Sequence, residues 1–112
     1  MIAFPKITYV RSKKLLQAVA SIECQHCGQH GFTQAAHSNQ SSHGKGRSLK
    51  ASDIFTAALC ETCHAALDSG SHLTREQRVT MWGEAHIKTV RELVKRGLWP
   101  MDVTIPDIRV MN

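Results

Sequence analysis

The sequence predicts a small α+β domain: a leading helix, two short strands separated by a long polar loop, a short helix and a long C-terminal helix. Three observations predict it. The chain has 112 residues, enough for one hydrophobic core and too few for two. Its cysteines fall in two pairs, Cys24-x-x-Cys27 and Cys60-x-x-Cys63, on either side of the strand-bearing middle of the chain. A capping signal at Thr74 opens a stretch with a sustained helical face.

Each element has its own warrant. Residues 1–10 read as a loose extended segment. Ser12 is placed to cap a helix over residues 13–20, with Leu15, Leu16 and Val19 on its buried side. Residues 32–37 read as a strand. Residues 38–53 form a polar loop with Gly44 and Gly46, in which Lys45, Arg47 and Lys50 meet no acidic residue before Asp53. An ordered loop longer than about 12–15 residues is uncommon unless it is functional or disordered. Residues 54–59 are apolar and include Ile54, Phe55 and Thr56, which suits a second strand. Residues 60–68 then predict a short helix stopped near Gly70. Thr74-Arg75-Glu76-Gln77 matches a capping box. Val79, Trp82, His86, Val90 and Leu93 follow at spacings of three and four, one face of a helix over about 75–96. Gly97 stands where a C-terminal glycine belongs, and Gly83 inside the helix should cost about 1 kcal/mol relative to Ala. The tail, 100–112, carries Pro100 and Pro106 and has no helical period. The organisation is thus one domain over 1–112, with a motif core at 24–72.

Composition excludes several classes. A hydrophobic share of 42% is too ordinary for low-complexity disorder. No stretch approaches the ~18 apolar residues of a membrane span, and the first residues lack the shape of a signal peptide. A cytoplasmic, reducing setting is therefore expected, where cysteines serve as ligands or redox groups more often than as disulfides. The net charge of +5 hints at a polyanionic partner and says nothing about fold.

Two CxxC knuckles from distant segments suit a structural zinc held by Cys24, Cys27, Cys60 and Cys63. Each knuckle turns two sulfurs to one point, and Zn²⁺ takes four thiolates in a tetrahedron. In so small a domain such a site contributes folding energy directly. A thioredoxin-like dithiol would need only one pair and a βαβ context. Cys60-Glu61-Thr62-Cys63-His64 also reads as a c-type haem attachment site, but that leaves Cys24 and Cys27 without a use. An iron site is possible from the ligands alone, yet does not account for the histidines.

If zinc joins the two pairs, the strand carrying His37 comes beside the helix carrying His64 and Asp68. A His and a carboxylate four residues apart share one helical face and can bind one divalent ion. This arrangement resembles the HNH endonucleases, the ββα-metal nucleases, and most of all small phage and prophage proteins of that type. The residues that carry the resemblance are Cys24-x-x-Cys27, Ala36-His37, Asp53, Leu59-Cys60-x-x-Cys63-His64 and Asp68. It spans about residues 24–72.

The resemblance implies a zinc-stabilised ββα-metal core and a metal-dependent DNA endonuclease, with work in phage DNA recombination, repair or processing. His37 would be the general base that activates water against a phosphodiester, a task that neutral imidazole suits near pH 7. Asp53 would stand where the family has Asn and would orient His37. His64 and Asp68 would hold one catalytic ion, Mg²⁺ or a transition metal, which stabilises charge on the phosphate and the leaving 3′ oxygen. Two departures stand out. Ala36 replaces the Asp or His that many relatives place before the base, so a further ligand must come from His72, His43, water or phosphate. Asp53 for Asn puts an anion beside the base. In this reading Lys45, Arg47 and Lys50 contact DNA phosphates. The alternative is a non-catalytic zinc module that binds nucleic acid, which would have no use for His37, Asp53, His64 and Asp68 together.

Overall fold

The computed structural model describes residues 9–40, 51–68 and 71–108. Five elements follow in order: α1 (Lys13–Ser21), β1 (Thr33–His37), β2 (Thr56–Cys60), α2 (Glu61–Ala65) and α3 (Arg75–Lys95). Ser12 caps α1, its side chain accepting the Leu15 N–H. Leu15 and Val19 are buried, whereas Leu16 is only half-buried, so the inner stripe of α1 is narrower than expected.

The strands pair antiparallel, with Thr33 opposite Cys60 and His37 opposite Thr56. A two-stranded sheet alone is marginal in water. Here both faces are covered. Ala36, Ala57 and Leu59 face a cluster with Trp82 and Ala85 of α3, while Ala35 and Ala58 face one with Leu15 and Val19 of α1 and Leu93 of α3. The alanines let the helices approach closely. All five residues of β2 are buried, so it reads in the sequence as a continuous apolar run rather than an alternation.

The outer edge of β2 is closed by side chains of α3 and by the backbone of the first cysteine turn. The Ala58 N–H donates to the Thr89 hydroxyl at 2.9 Å, and that hydroxyl donates to the Ala85 carbonyl at 2.7 Å. His86 Nδ1 donates to the Thr56 carbonyl at 2.8 Å, and the Gln25 N–H donates to the Ala58 carbonyl at 2.8 Å. Backbone groups of a buried strand are thereby paired, as burial demands. His86 is fully buried and stacks on Trp82 with ring centroids 4.7 Å apart, a packing role.

The expected helix over 60–68 is shorter. α2 ends at Ala65, because the next amides take tighter bonds: Leu67 N–H to the His64 carbonyl and Asp68 N–H to the Ala65 carbonyl. His64 and Asp68 are therefore not stacked on one helical face by an α-period. The long helix starts with the capping box at Thr74 and Gln77, as its sequence indicates. Beyond it the chain turns back: Val103 and Pro106 are buried, and the Trp99 indole N–H donates to the Val103 carbonyl at 2.9 Å.

Candidate functional site

The first centre is built from cysteines. Cys24 enters a turn in which the Gly28 N–H donates to its carbonyl and the Cys27 N–H points at its sulfur. Gly28 leaves that turn with φ +83°, a conformation that suits glycine. Cys60 ends β2 and Cys63 lies one turn into α2. All four are free thiols, and their sulfurs lie within 4.8 Å of one another. The Cys27 and Cys60 sulfurs are 3.6 Å apart. Four thiolates at about 2.3 Å from Zn²⁺ would be separated by about 3.8 Å, so these residues can hold a structural zinc.

The protonation of the cluster fits the same reading. Burial pushes the Cys24 thiol up, but the backbone N–H groups of Cys27, Cys60 and His26 outweigh it and bring the group down to about 6. Burial pushes Cys63 up, and the neighbouring cysteines push it further. Cys27 is also raised: its backbone bond to Gln29 favours the thiolate, and the sulfurs of Cys24 and Cys60 outweigh that. The Cys24 thiolate forms readily, and Cys27 and Cys63 resist ionisation beside it. A cation at their centre removes that conflict.

The second centre begins with Asp53. The N-terminal segment holds it in place: the Asp53 N–H donates to the Val10 carbonyl at 2.8 Å, and the Val10 N–H donates to the Ser52 hydroxyl at 2.9 Å. Its buried carboxylate accepts the Ser12 N–H at 2.7 Å and the His37 Nε2–H at 2.8 Å, with Arg11 Nη1 at 3.7 Å. A carboxylate only accepts, so His37 carries its proton on Nε2 and keeps Nδ1 able to take another. His37 itself sits at the end of β1, with a side chain only 20% exposed.

His64 is held in the opposite tautomer. Its Nδ1 lies 2.6 Å from Gln34 Oε1, an amide oxygen that accepts, which leaves Nε2 with the lone pair. His37, His64 and Asp68 line one cavity of about 320 Å³, together with Ser38, Asn39 and Leu67. Three of the four residues expected to act together thus line one cavity, and the fourth, Asp53, is hydrogen-bonded to one of them, His37.

Other expected residues are not gathered there. His72 is exposed and does not line this cavity. His43, Lys45, Arg47 and Lys50 lie outside the described residues. Among the described residues, the cysteines are the only three or more candidate ligands within 4.8 Å of one another. His64 and Asp68 are two candidate ligands, short of such a group, and an ion held by so few protein groups would keep several waters, as Mg²⁺ does.

A family model described as "Protein of unknown function (DUF968)" matches residues 1–94. The chain belongs to the DUF968 family. No curated protein matches it, and no solved structure does. The part of this DUF968 chain that matches includes both cysteine pairs, His37, Asp53, His64 and Asp68. Among the described residues, no helix is long and apolar enough to cross a membrane.

Sequence reasoning missed Gln34, Arg11 and the second role of Ser12. Strand alternation puts Gln34 and His37 on opposite faces, so no periodicity joins Gln34 to the site. Ser12 carried a helix-cap signal that its side chain fulfils, while its N–H serves Asp53. Nothing in the sequence signalled the second use.

Proposed function

We propose that this DUF968 protein is a metal-dependent DNA endonuclease of the HNH type. The observation that carries the reading is that His37, hydrogen-bonded to Asp53, shares a cavity with His64 and Asp68. His37 Nδ1 takes a proton from the attacking water, and Asp53 holds the ring by its Nε2–H and stabilises the imidazolium that forms. His64 Nε2 and the Asp68 carboxylate are the protein ligands for one divalent ion. When bound, that ion supplies positive charge to the phosphate and to the leaving 3′ oxygen. Water adds to phosphorus, the bond to the 3′ oxygen breaks, that oxygen takes a proton from solvent water, and the products carry 5′ phosphate and 3′ hydroxyl ends. Cys24, Cys27, Cys60 and Cys63 hold a structural zinc that joins the knuckle to β2 and α2.

The test is nicking of supercoiled plasmid with Mg²⁺, Mn²⁺ or Ni²⁺ added to the zinc-loaded protein. The wild type is expected to nick only with added metal. His37→Ala should lower the rate roughly 10²- to 10⁴-fold, the range of a lost general base, with unchanged zinc content and circular dichroism. Absence of metal-dependent cleavage on duplex, branched and single-stranded DNA would remove the enzyme and leave a zinc-held binding module.

A further inference from the structure

Beside the candidate site lies a second cavity, of about 390 Å³, lined by Asn39, Gln40, Leu67, Asp68, Arg75, Arg78, Val79 and Trp82. Asn39, Leu67 and Asp68 line both cavities, so the two adjoin along a surface trough, with Asp68 between them. The far part differs in chemistry. Arg75 and Arg78 are three residues apart on α3 and project from one face of that helix. Arg78 Nη1 donates to the Leu73 carbonyl at 3.0 Å, which fixes its guanidinium and leaves other N–H groups for a ligand. Leu67, Val79 and Trp82 give an apolar floor.

We propose that Arg75 and Arg78 form a phosphate subsite for the nucleic-acid strand, next to the phosphate being cut. A trough with cationic forks above an apolar floor suits a sugar–phosphate backbone: guanidinium pairs with phosphate oxygens, and the deoxyribose lies on carbon. Two features favour an extended polyanion over a small free anion. The trough adjoins the cavity lined by the proposed metal ligands His64 and Asp68, and it carries two guanidiniums rather than one. The identity of the ligand rests on the endonuclease reading; the cationic trough does not. Sequence alone assigned phosphate contacts to Lys45, Arg47 and Lys50, and Arg75 and Arg78 are additional to them.

The experiment measures binding without cleavage. The zinc-loaded His37→Ala protein is titrated with a fluorescent 20-base-pair duplex at fixed Mg²⁺ over a series of NaCl concentrations. Each phosphate neutralised contributes about 0.9 to the slope of log affinity against log salt. Arg75→Gln and Arg78→Gln should each lower that slope by about 1 and weaken binding roughly three- to tenfold near 0.1 M salt. Lys88→Gln, on the same helix but away from the trough, should change the slope far less. Arg75→Gln leaves the Leu73 contact of Arg78 intact, so its result stands even if Arg78→Gln loosens the start of α3. Unchanged slopes, or an equal loss for Lys88→Gln, overturn the subsite. Plasmid nicking by the wild type is read separately. Lost slope without nicking keeps the subsite and removes the nuclease, whereas nicking with unchanged slopes does the reverse.

Discussion

At the scale of single residues, the candidate site depends on two histidines held in opposite tautomers. Asp53 fixes the His37 proton on Nε2, and Gln34 fixes the His64 proton on Nδ1. The first pair was legible in the sequence, because the resemblance to the HNH nucleases placed Asp53 as the partner that orients His37. The second was not, because a glutamine on a short strand carries no signal of the ring it will meet. Gln34 is exposed, so removing it should cost little stability. It should instead free the His64 ring to rotate and change tautomer. Gln34→Ala is expected to raise the Mg²⁺ or Mn²⁺ concentration needed for half-maximal nicking by roughly 10- to 100-fold, the usual penalty for losing such a partner. The rate at saturating metal should fall much less. A metal titration of the nicking rate checks this, and an unchanged midpoint would show that Gln34 does not tune the ligand.

At the scale of elements, α3 presents two glycines with opposite requirements. Gly83 lies inside the helix, and a Cβ there would meet nothing within 4 Å. Gly83→Ala should stabilise the protein by about 1 kcal/mol through helix propensity alone. Gly97 ends the helix with φ +70°. Its N–H donates to the Val94 carbonyl, and the next amide, Leu98 N–H, reaches the Leu93 carbonyl at 2.8 Å. That is the six-to-one closure of a Schellman motif. Gly97→Ala should destabilise by about 1 kcal/mol, because the left-handed backbone is strained for an L side chain. Urea unfolding of the two variants should give midpoints on opposite sides of the wild type. The caps of α1 and α3 were readable because capping is local chemistry. Thr89 was not: it looks like a polar surface residue, yet its hydroxyl pairs the Ala58 amide of β2. The end of α2 also escaped, since the tightened turns at Leu67 and Asp68 follow from tertiary placement rather than from a breaker at 66.

At the scale of the molecule, the question is what keeps the two centres in register. The cysteine cluster ties residues 24–27 to the end of β2 and the start of α2. A second tie lies alongside: Glu23 makes a two-pronged contact with Arg96 at the end of α3, one prong being Arg96 Nη1 to Glu23 Oε2 at 3.0 Å. The Arg96 guanidinium holds the Glu23 carboxyl down at about 2. Its stabilising contribution is present above the ordinary carboxylate range and fades as pH falls from about 4.5 towards 2. The pair is partly exposed, so this tie is weak. Zinc held by the four cysteines would be a tie of another order. Structural zinc sites bind with about 10–16 kcal/mol of apparent free energy, comparable to the whole stability of a domain, about 5–15 kcal/mol. Removing it should therefore unfold the protein rather than trim its activity. The proposed catalytic ion would differ, because His64 and Asp68 line a cavity and lie within one short stretch of chain, so holding an ion there would join no distant segments. Two depletions should separate these roles. Omitting Mg²⁺ from the zinc-loaded protein is expected to stop nicking and leave the circular dichroism and melting temperature nearly unchanged. Stripping zinc with a thiol-competing chelator, or making Cys60→Ser, should abolish the cooperative melting transition. Adding Mg²⁺ back should then restore nothing, whereas adding Zn²⁺ to the stripped wild type should restore both the fold and the nicking. A folded, cooperatively melting Cys60→Ser protein would show that packing of β2 between α1 and α3 is sufficient without the metal, and the zinc frame would have to be abandoned.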